Sequence, residues 1–460
     1  GPPGTIIYWG EEGAIPAPPQ LDDLVADYRA SGRLGWDGHD YLAWHKGYSD
    51  WLDAHDGRKS FATVIDLCRS LGNVAFYYHG RIIENTRITN KIDGYVVNGW
   101  ECMKLDNHSG IVDVARRPKG DVSLLAHYNR PVHLAVKPRK KVVEAGATVA
   151  CDLHIVNEKN LRGPHTLRVR ASRPLGGAVL MEQDFPVDLI GGETFGQLLQ
   201  ENVQIPVGDA HGYVKVVAML LAGDRVVADG HDEIYVIDVK AARPPDGGAV
   251  VDSTGAVGRF LGGIGCQTVA LTPDTGFVPY IVLADTPIKY KDHGGLLQRV
   301  TEQGTTLIVI ANADLWAQAL KDRGLIQYDG SLVLGRNWIG GSFFVLKHEL
   351  FTGLPQGQAM NWEYQAIQKQ NQPKPGRYGL LLRGDEAAAG CFNSHDPRLA
   401  TAVGIIKVGK GRVILSTLPM MPYLESSDPA AAMPRRLLAN YLAFGVVGDE
   451  PATQPAITMP

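Results

Sequence analysis

Hydrophobic and polar positions change rhythm twice along this chain. Residues 1 to about 115 open on a short β-branched and aromatic run, Thr5-Ile6-Ile7-Tyr8-Trp9, that ends in Gly10-Glu11-Glu12-Gly13-Ala14. Leu21, Leu24, Val25 and Tyr28 then recur at helical spacing, preceded by prolines and closed by Gly32. Tyr41, Trp44, Tyr48, Trp51 and Leu52 form a second helical stripe, and Phe61, Val64, Ile65 and Cys68 a third. Asn73 to Asn90 reads as a fourth helix, and Gly94 to Glu101 as the next strand. A strand, helices and a strand, with polar groups at both strand ends, make one repeat of a (β/α)₈ TIM barrel with extra helices in the connection. Such a strand cannot stand alone, so most of the barrel is expected upstream of residue 1.

From about 130 to 240 the period becomes two. Val132 to Val136, Thr148 to Val156, Thr166 to Val169, Ala178 to Met181, Tyr213 to Leu221 and Glu233 to Ile237 read as short strands. Turn signals separate them, among them Gly146, Asn157-Glu158-Lys159-Asn160, Gly176-Gly177 and Gly223-Asp224. Short strands at this density predict an immunoglobulin-like β-sandwich.

After the linker Ala241 to Gly248, alternation of strand and helix returns. Strands are predicted at Ala249 to Val251, Thr268 to Leu271, Tyr280 to Ala284, Thr306 to Ile310 and Arg412 to Ser416, with Pro434 to Phe444 as the closing helix. The pattern predicts an open, mostly parallel, doubly wound sheet. The expected division is therefore 1–115 barrel end, 116–240 sandwich, 241–448 doubly wound α/β domain and 449–460 flexible tail.

Composition narrows the partners more than the fold. The formal net charge of −4 is spread without long runs, which argues against a nucleic-acid or anionic-membrane surface. No window approaches eighteen uninterrupted apolar residues, so no membrane span is expected. The five cysteines, Cys68, Cys102, Cys151, Cys266 and Cys391, lie far apart and mostly inside apolar patterns. They read as free buried thiols and not as a disulfide framework or metal set. His39, His45, His55, His79 and His108 include no tight ligand pair on one helical face, so no metal is expected. No cofactor is expected either, and the sequence assigns no compartment.

On spacing alone, a strand-end carboxylate is more often a solvated cap than a catalyst. The motif shifts that balance. Ile6-Ile7-Tyr8-Trp9-Gly10-Glu11-Glu12-Gly13-Ala14 resembles the seventh barrel strand of glycoside hydrolase family two, which includes β-galactosidases, β-glucuronidases and β-mannosidases. Asp93 to Trp100, followed by Asn107-His108-Ser109-Gly110-Ile111-Val112-Asp113, is similar to the family's eighth strand and the segment that leaves the barrel. The resemblance implies a retaining exo-β-glycosidase, most like a β-galactosidase, working by double displacement. In that mechanism two carboxyl groups roughly 5–5.5 Å apart flank the glycosidic bond. Register on Gly13-Ala14 puts Glu11 on the nucleophile, with Glu12 taking that role if the register slips by one. Trp9, Glu12, Asn98, Trp100 and Glu101 are the implied substrate contacts, and either Asn98 or Trp100 takes the position of the family's subsite tryptophan.

The family's acid/base glutamate follows an asparagine at a fourth-strand end. Here Asn157-Glu158 is a sandwich turn, and Glu84-Asn85 is reversed within a helix. The acid/base is therefore expected on an upstream polypeptide that completes the barrel, with a glycoside as substrate and a homo-oligomer as the assembly. The competing reading is a non-catalytic carbohydrate-binding or scaffold protein with a degenerate barrel.

The last region resembles flavodoxin-type and class I glutamine-amidotransferase folds. The turn Ile310-Ala311-Asn312-Ala313-Asp314 carries no cysteine where an amidotransferase elbow needs its nucleophile. Gly262-Gly263-Ile264-Gly265 precedes a strand instead of opening a helix, and so reads as a helix stop and not a phosphate loop. A scaffold or oligomerisation role follows, with Trp362 in the segment Met360 to Tyr364 reaching a neighbouring domain or subunit.

Overall fold

The computed structural model describes residues 5–12, 16–97, 100, 110–174, 176–209, 211–287, 295–336, 339–368, 376–383 and 386–444. Strand β1 (Tyr8–Glu12) is followed by helices α1 (Leu21–Ser31), α2 (Gly38–Ala54) and α3 (Val64–Ile88), and β2 (Gly94–Val97) then returns beside β1. Helix α1 stops where the spacing predicts. Gly32 adopts the left-handed conformation (φ 65°), and its N–H bonds the Tyr28 carbonyl.

The predicted third and fourth helices are one continuous helix. Thr63 and Asp66 form a reciprocal capping box at its start. Gly72 looks like a break in the sequence, yet it serves a close approach: a Cβ there would sit 1.8 Å from the Lys119 carbonyl oxygen. A short helix, α4 (Val122–Tyr128), also lies against α3, where Gly80 leaves room for the Tyr128 ring.

Eight strands follow: β3 (Val132–Pro138), β4 (Val142–Glu144), β5 (Thr148–Asn157), β6 (Gly163–Ser172), β7 (Val179–Leu189), β8 (Gly196–Pro206), β9 (Gly212–Ala222) and β10 (Arg225–Ile237). They form one sheet in the order β4-β10-β9-β6-β7 and another in the order β3-β5-β8. Alternate residues from both sheets, such as Leu134, Leu153, Val169, Val216 and Ile234, share one apolar core. Strand β8 escaped the sequence pattern because Gly196 to Asn202 is at most partly buried, with Leu198 and Leu199 adjacent instead of alternating, and only Val203 and Ile205 are buried apolar residues.

The last region contains β11 (Gly248–Val251), α5 (Ala256–Gly263), β12 (Thr268–Val269), β13 (Tyr280–Leu283), α6 (Leu296–Gln298), β14 (Thr306–Val309) and α7 (Ala313–Lys321). It continues with β15 (Tyr328–Val333), β16 (Gly335–Arg336), β17 (Ile339–Val345), β18 (Gln358–Ala359), α8 (Gln365–Gln368), β19 (Tyr378–Leu382), β20 (Glu386–Asn393), β21 (Leu399–Val408), β22 (Gly411–Ser416) and α9 (Ala432–Ala443). Strands β12-β11-β13-β14-β22 run parallel, and these are the strands that the pattern predicts. The sheet is not mostly parallel, however. Strands β21, β20 and β17 extend it in antiparallel fashion, built from residues inserted between α7 and β22. The result is a sheet-rich mixed α/β chain.

Helices α2 and α3 lie on the antiparallel half of this sheet. Trp51 and Phe61 meet Phe344 edge to face at 5.2 and 5.9 Å between ring centroids. Gly390 permits the contact, since a Cβ there would fall 2.3 Å from Phe344 and 2.7 Å from Trp51. Two hydroxyls fasten the seam: Ser70 accepts the Ala359 N–H at 2.8 Å, and Ser60 accepts the Lys347 N–H at 2.7 Å.

Candidate functional site

Strands β1 and β2 pair in parallel, with Tyr8 opposite Gly94, Trp9 opposite Tyr95 and Glu12 opposite Val97. Parallel pairing puts both C-terminal ends on one side, so the Glu11-Glu12 end lies beside the end that leads to Trp100. The register is stapled at the entry. The Asp93 carboxylate accepts the Ile7 N–H at 2.7 Å, and the Asp93 N–H returns a bond to the Ile7 carbonyl at 2.8 Å. Beyond β2, the Trp100 carbonyl accepts the N–H groups of Ile111 and Val112 at 3.1 and 3.0 Å, which turns the chain back.

The predicted site residues divide into two groups. Trp9 and Trp100 are described and exposed, at 37% and 63%. Glu11 and Glu12 lie on β1 at the expected end, but their side chains lie outside the described part of the structure, as do Asn98 and Glu101 altogether. Tyr8 and Val96 on this two-stranded sheet, and Ile6 and Ile7 just before it, are also exposed. Among the described residues, β1 and β2 pair only with each other, so this small sheet carries exposed apolar side chains and open edges.

A second polar centre, which the sequence reading missed, lies where α3, the sandwich and the last region meet. Glu84 of α3 is buried and receives the His133 imidazole at 2.8 Å, the Lys137 ammonium at 2.8 Å and the Arg81 guanidinium at 3.0 Å. Burial alone would raise its carboxyl. The hydrogen bond from His133 and the charges of Arg81 and Lys137 overcome that and hold it down to about 2. Arg81 also reaches Asp232 at 3.1 Å, and Asp232 pairs with Lys141.

Lys141 carries the network onward. It donates to the Tyr77 hydroxyl at 3.0 Å and sits 4.1 Å from the centre of the Trp362 ring. Burial lowers the pKa of its ammonium. Glu363, next in sequence, accepts the Tyr213 hydroxyl at 2.5 Å and is raised by burial. Trp362 also meets Tyr213 of β9, edge to face at 6.0 Å between ring centroids. In sequence, the signal for this centre is charge at Arg81 and Glu84 on either side of the apolar pair Ile82-Ile83.

The last region supplies an elbow without a nucleophile. Asn312, between β14 and α7, holds a left-handed conformation at φ 54°. Cys266 and Cys391 lie elsewhere, buried, with their thiols raised by burial. Cys68 and Cys151 are also buried free thiols, and Cys102 lies outside the described residues. Gly262 and Gly263 end α5, and Gly265 follows at φ 83°, which is a helix stop. A cleft of about 650 Å³ runs along the sandwich seam, edged by the Arg259–Glu425 and Arg435–Glu144 pairs. Among the described residues, no group of His, Cys, Asp and Glu side chains is placed to hold a metal ion. None of their helices is long and apolar enough to cross a membrane.

These features define a multi-part, sheet-rich α/β protein. No family profile and no curated protein matches the chain. Among solved structures, 50% of the chain is similar to 27% of the β-D-mannosidase from Dictyoglomus thermophilum, at 12% identity and a TM-score of 0.28. A glycosyl hydrolase family 2 member from Bacteroides cellulosilyticus matches 39% of the chain over 25% of its own length, at 14% identity and a TM-score of 0.20. A putative β-galactosidase from Bacteroides fragilis matches 37% over 26% of its length, at 12% identity and a TM-score of 0.18. The chain therefore spans about a quarter of the length of each.

Proposed function

We propose that this chain is the C-terminal part of a retaining exo-β-glycosidase of the family-two type, most like a β-galactosidase. The observation that carries the reading is the parallel pairing of β1 and β2, with one register shift between Trp9 and Glu12, which sets the Glu11-Glu12 strand end beside the strand that leads to Trp100. Neighbouring barrel strands have this relation, with their chemistry at the C-terminal mouth. In this reading Glu11 attacks the anomeric carbon, and an acid/base glutamate on an upstream polypeptide protonates the leaving oxygen and then activates water. Trp9 and Trp100 offer aromatic faces to the sugar, while Glu12, Asn98 and Glu101 accept its hydroxyls. The exposed apolar surface of Ile6, Tyr8 and Val96 supports an upstream partner that completes the barrel.

The accessory regions fit the same reading. The two-sheet sandwich supports an immunoglobulin-like assignment. The parallel order β12-β11-β13-β14-β22 is the 2-1-3-4-5 order of flavodoxin-type sheets. With asparagine at the elbow, that domain serves as a scaffold, holding α2 through Phe344 and the sandwich through Trp362.

The decisive experiment reconstitutes the chain with its upstream polypeptide and traps the glycosyl-enzyme with a slow 2-deoxy-2-fluoro-β-galactoside. Peptide mass spectrometry should find the sugar on the peptide that contains Glu11 and Glu12, with fragmentation assigning it to Glu11. An adduct on Glu12 moves the register by one, whereas an active complex labelled elsewhere removes this chain from the chemistry.

A further inference from the structure

A histidine cluster beside the Glu84 centre plays no part in that chemistry. His127 on α4, His133 on β3 and His231 on β10 pack ring against ring. The His127 centroid lies 4.6 Å from His231 and 4.9 Å from His133. His127 Nε2 is buried and has no hydrogen-bond partner among the described residues. One helix and two sandwich strands therefore meet through three imidazoles.

The surrounding charges decide how the cluster answers a proton. Arg130 can only donate, so its contact with His133 Nδ1 at 3.2 Å makes that nitrogen an acceptor. The other ring nitrogen then carries the hydrogen and donates to Glu84 at 2.8 Å. Arg81 of α3 and Lys137 of β3 already occupy the rest of the Glu84 carboxylate. On the sandwich side, Asp229 is bound to Arg130 and Asp232 to Lys141 and Arg81, while Lys215 of β9 faces His231. A proton on His127 or His231 thus meets imidazoles and cations at short range, and Glu84, Asp229 and Asp232 each already have a cationic partner.

We propose that the His127–His133–His231 contact is an acid-opened latch between the α3–α4 helical pair and the sandwich, closed near neutral pH. Burial, then His231 and His133, hold the His127 imidazole down to about 4 from an ordinary 6.5. Burial, then Lys215, lowers His231. The closed junction therefore binds fewer protons than the open one, and its stability falls as pH drops from about 6.5 toward 4. Between pH 7 and about pH 5, linkage through His127 alone favours opening by about twentyfold.

Limited proteolysis of the full chain within residues 121–131 tests this, with each rate divided by that on a free peptide of the same sequence at the same pH. When reclosing is fast, the normalised rate follows the open population. It should rise about tenfold or more from pH 7 to pH 5 in the wild-type chain. In His127→Gln, and independently in His231→Gln, the rise should be much smaller. An equal rise in the wild type and both variants would overturn the latch. So would an imidazole NMR titration of folded wild-type protein that places His127 at its ordinary value, a measurement that stands even if a variant does not fold.

Discussion

Trp51 docks the helical layer on the sheet through Phe344, and two substitutions there should separate its contributions. The residue is 8% exposed and sits edge to face on Phe344 at 5.2 Å, with its ring filling the space that Gly390 leaves open. Truncating a buried aromatic residue to alanine costs about 3–5 kcal/mol, because burial is lost and a cavity remains. One term opposes that. The indole Nε1 is buried with no hydrogen-bond partner among the described residues, a penalty of about 1–3 kcal/mol that truncation relieves in part. Trp51→Ala should therefore destabilise the chain by about 2–4 kcal/mol. Trp51→Phe keeps a ring against Phe344 and removes the unmatched donor, so it should fall within about 1 kcal/mol of wild type. Urea unfolding at neutral pH, followed by far-ultraviolet circular dichroism with a common slope, gives both values. Equal losses in the two variants, or an alanine cost below about 1 kcal/mol, would refute the reasoning.

Four further outcomes follow from the same geometry. In the reconstituted enzyme, Glu11→Gln should lower kcat by several orders of magnitude while circular dichroism stays unchanged, and Glu12→Gln should retain far more activity. Glu84→Ala leaves Arg81 and Lys137 without their buried partner and should cost about 3–5 kcal/mol in denaturant unfolding. Because the folded-state value of Glu84 is lowered, its contribution is present above about pH 4.5 and fades as pH falls toward about 2, which an acid titration of stability should register. In the isolated chain, β1 and β2 should exchange amide hydrogens rapidly while α2 and α3 stay protected, and adding the upstream polypeptide should slow only the strands.

Much of the local structure can be read from the chain alone, because it depends on side-chain period and local stereochemistry. Tyr41, Trp44, Tyr48, Trp51 and Leu52 recur at helical spacing, and these residues are the buried stripe of α2. Gly32 closes α1 because a residue without Cβ takes the left-handed conformation without strain. The parallel strands β11, β13, β14 and β22 are short apolar runs that carry their own signal. Only the tertiary structure decided what long-range contact controls. Gly72 resembles a helix break until the Lys119 carbonyl is seen against it, and Gly196 to Asn202, with no buried side chain and no alternation, becomes strand only when β5 pairs with it. The Glu84 centre and the histidine cluster are assembled from segments more than forty residues apart, such as Glu84 and His133, whose separation of 49 residues leaves no local pattern. A period records what each element must bury, whereas a buried charge records which elements meet, and that depends on the closure of the whole chain.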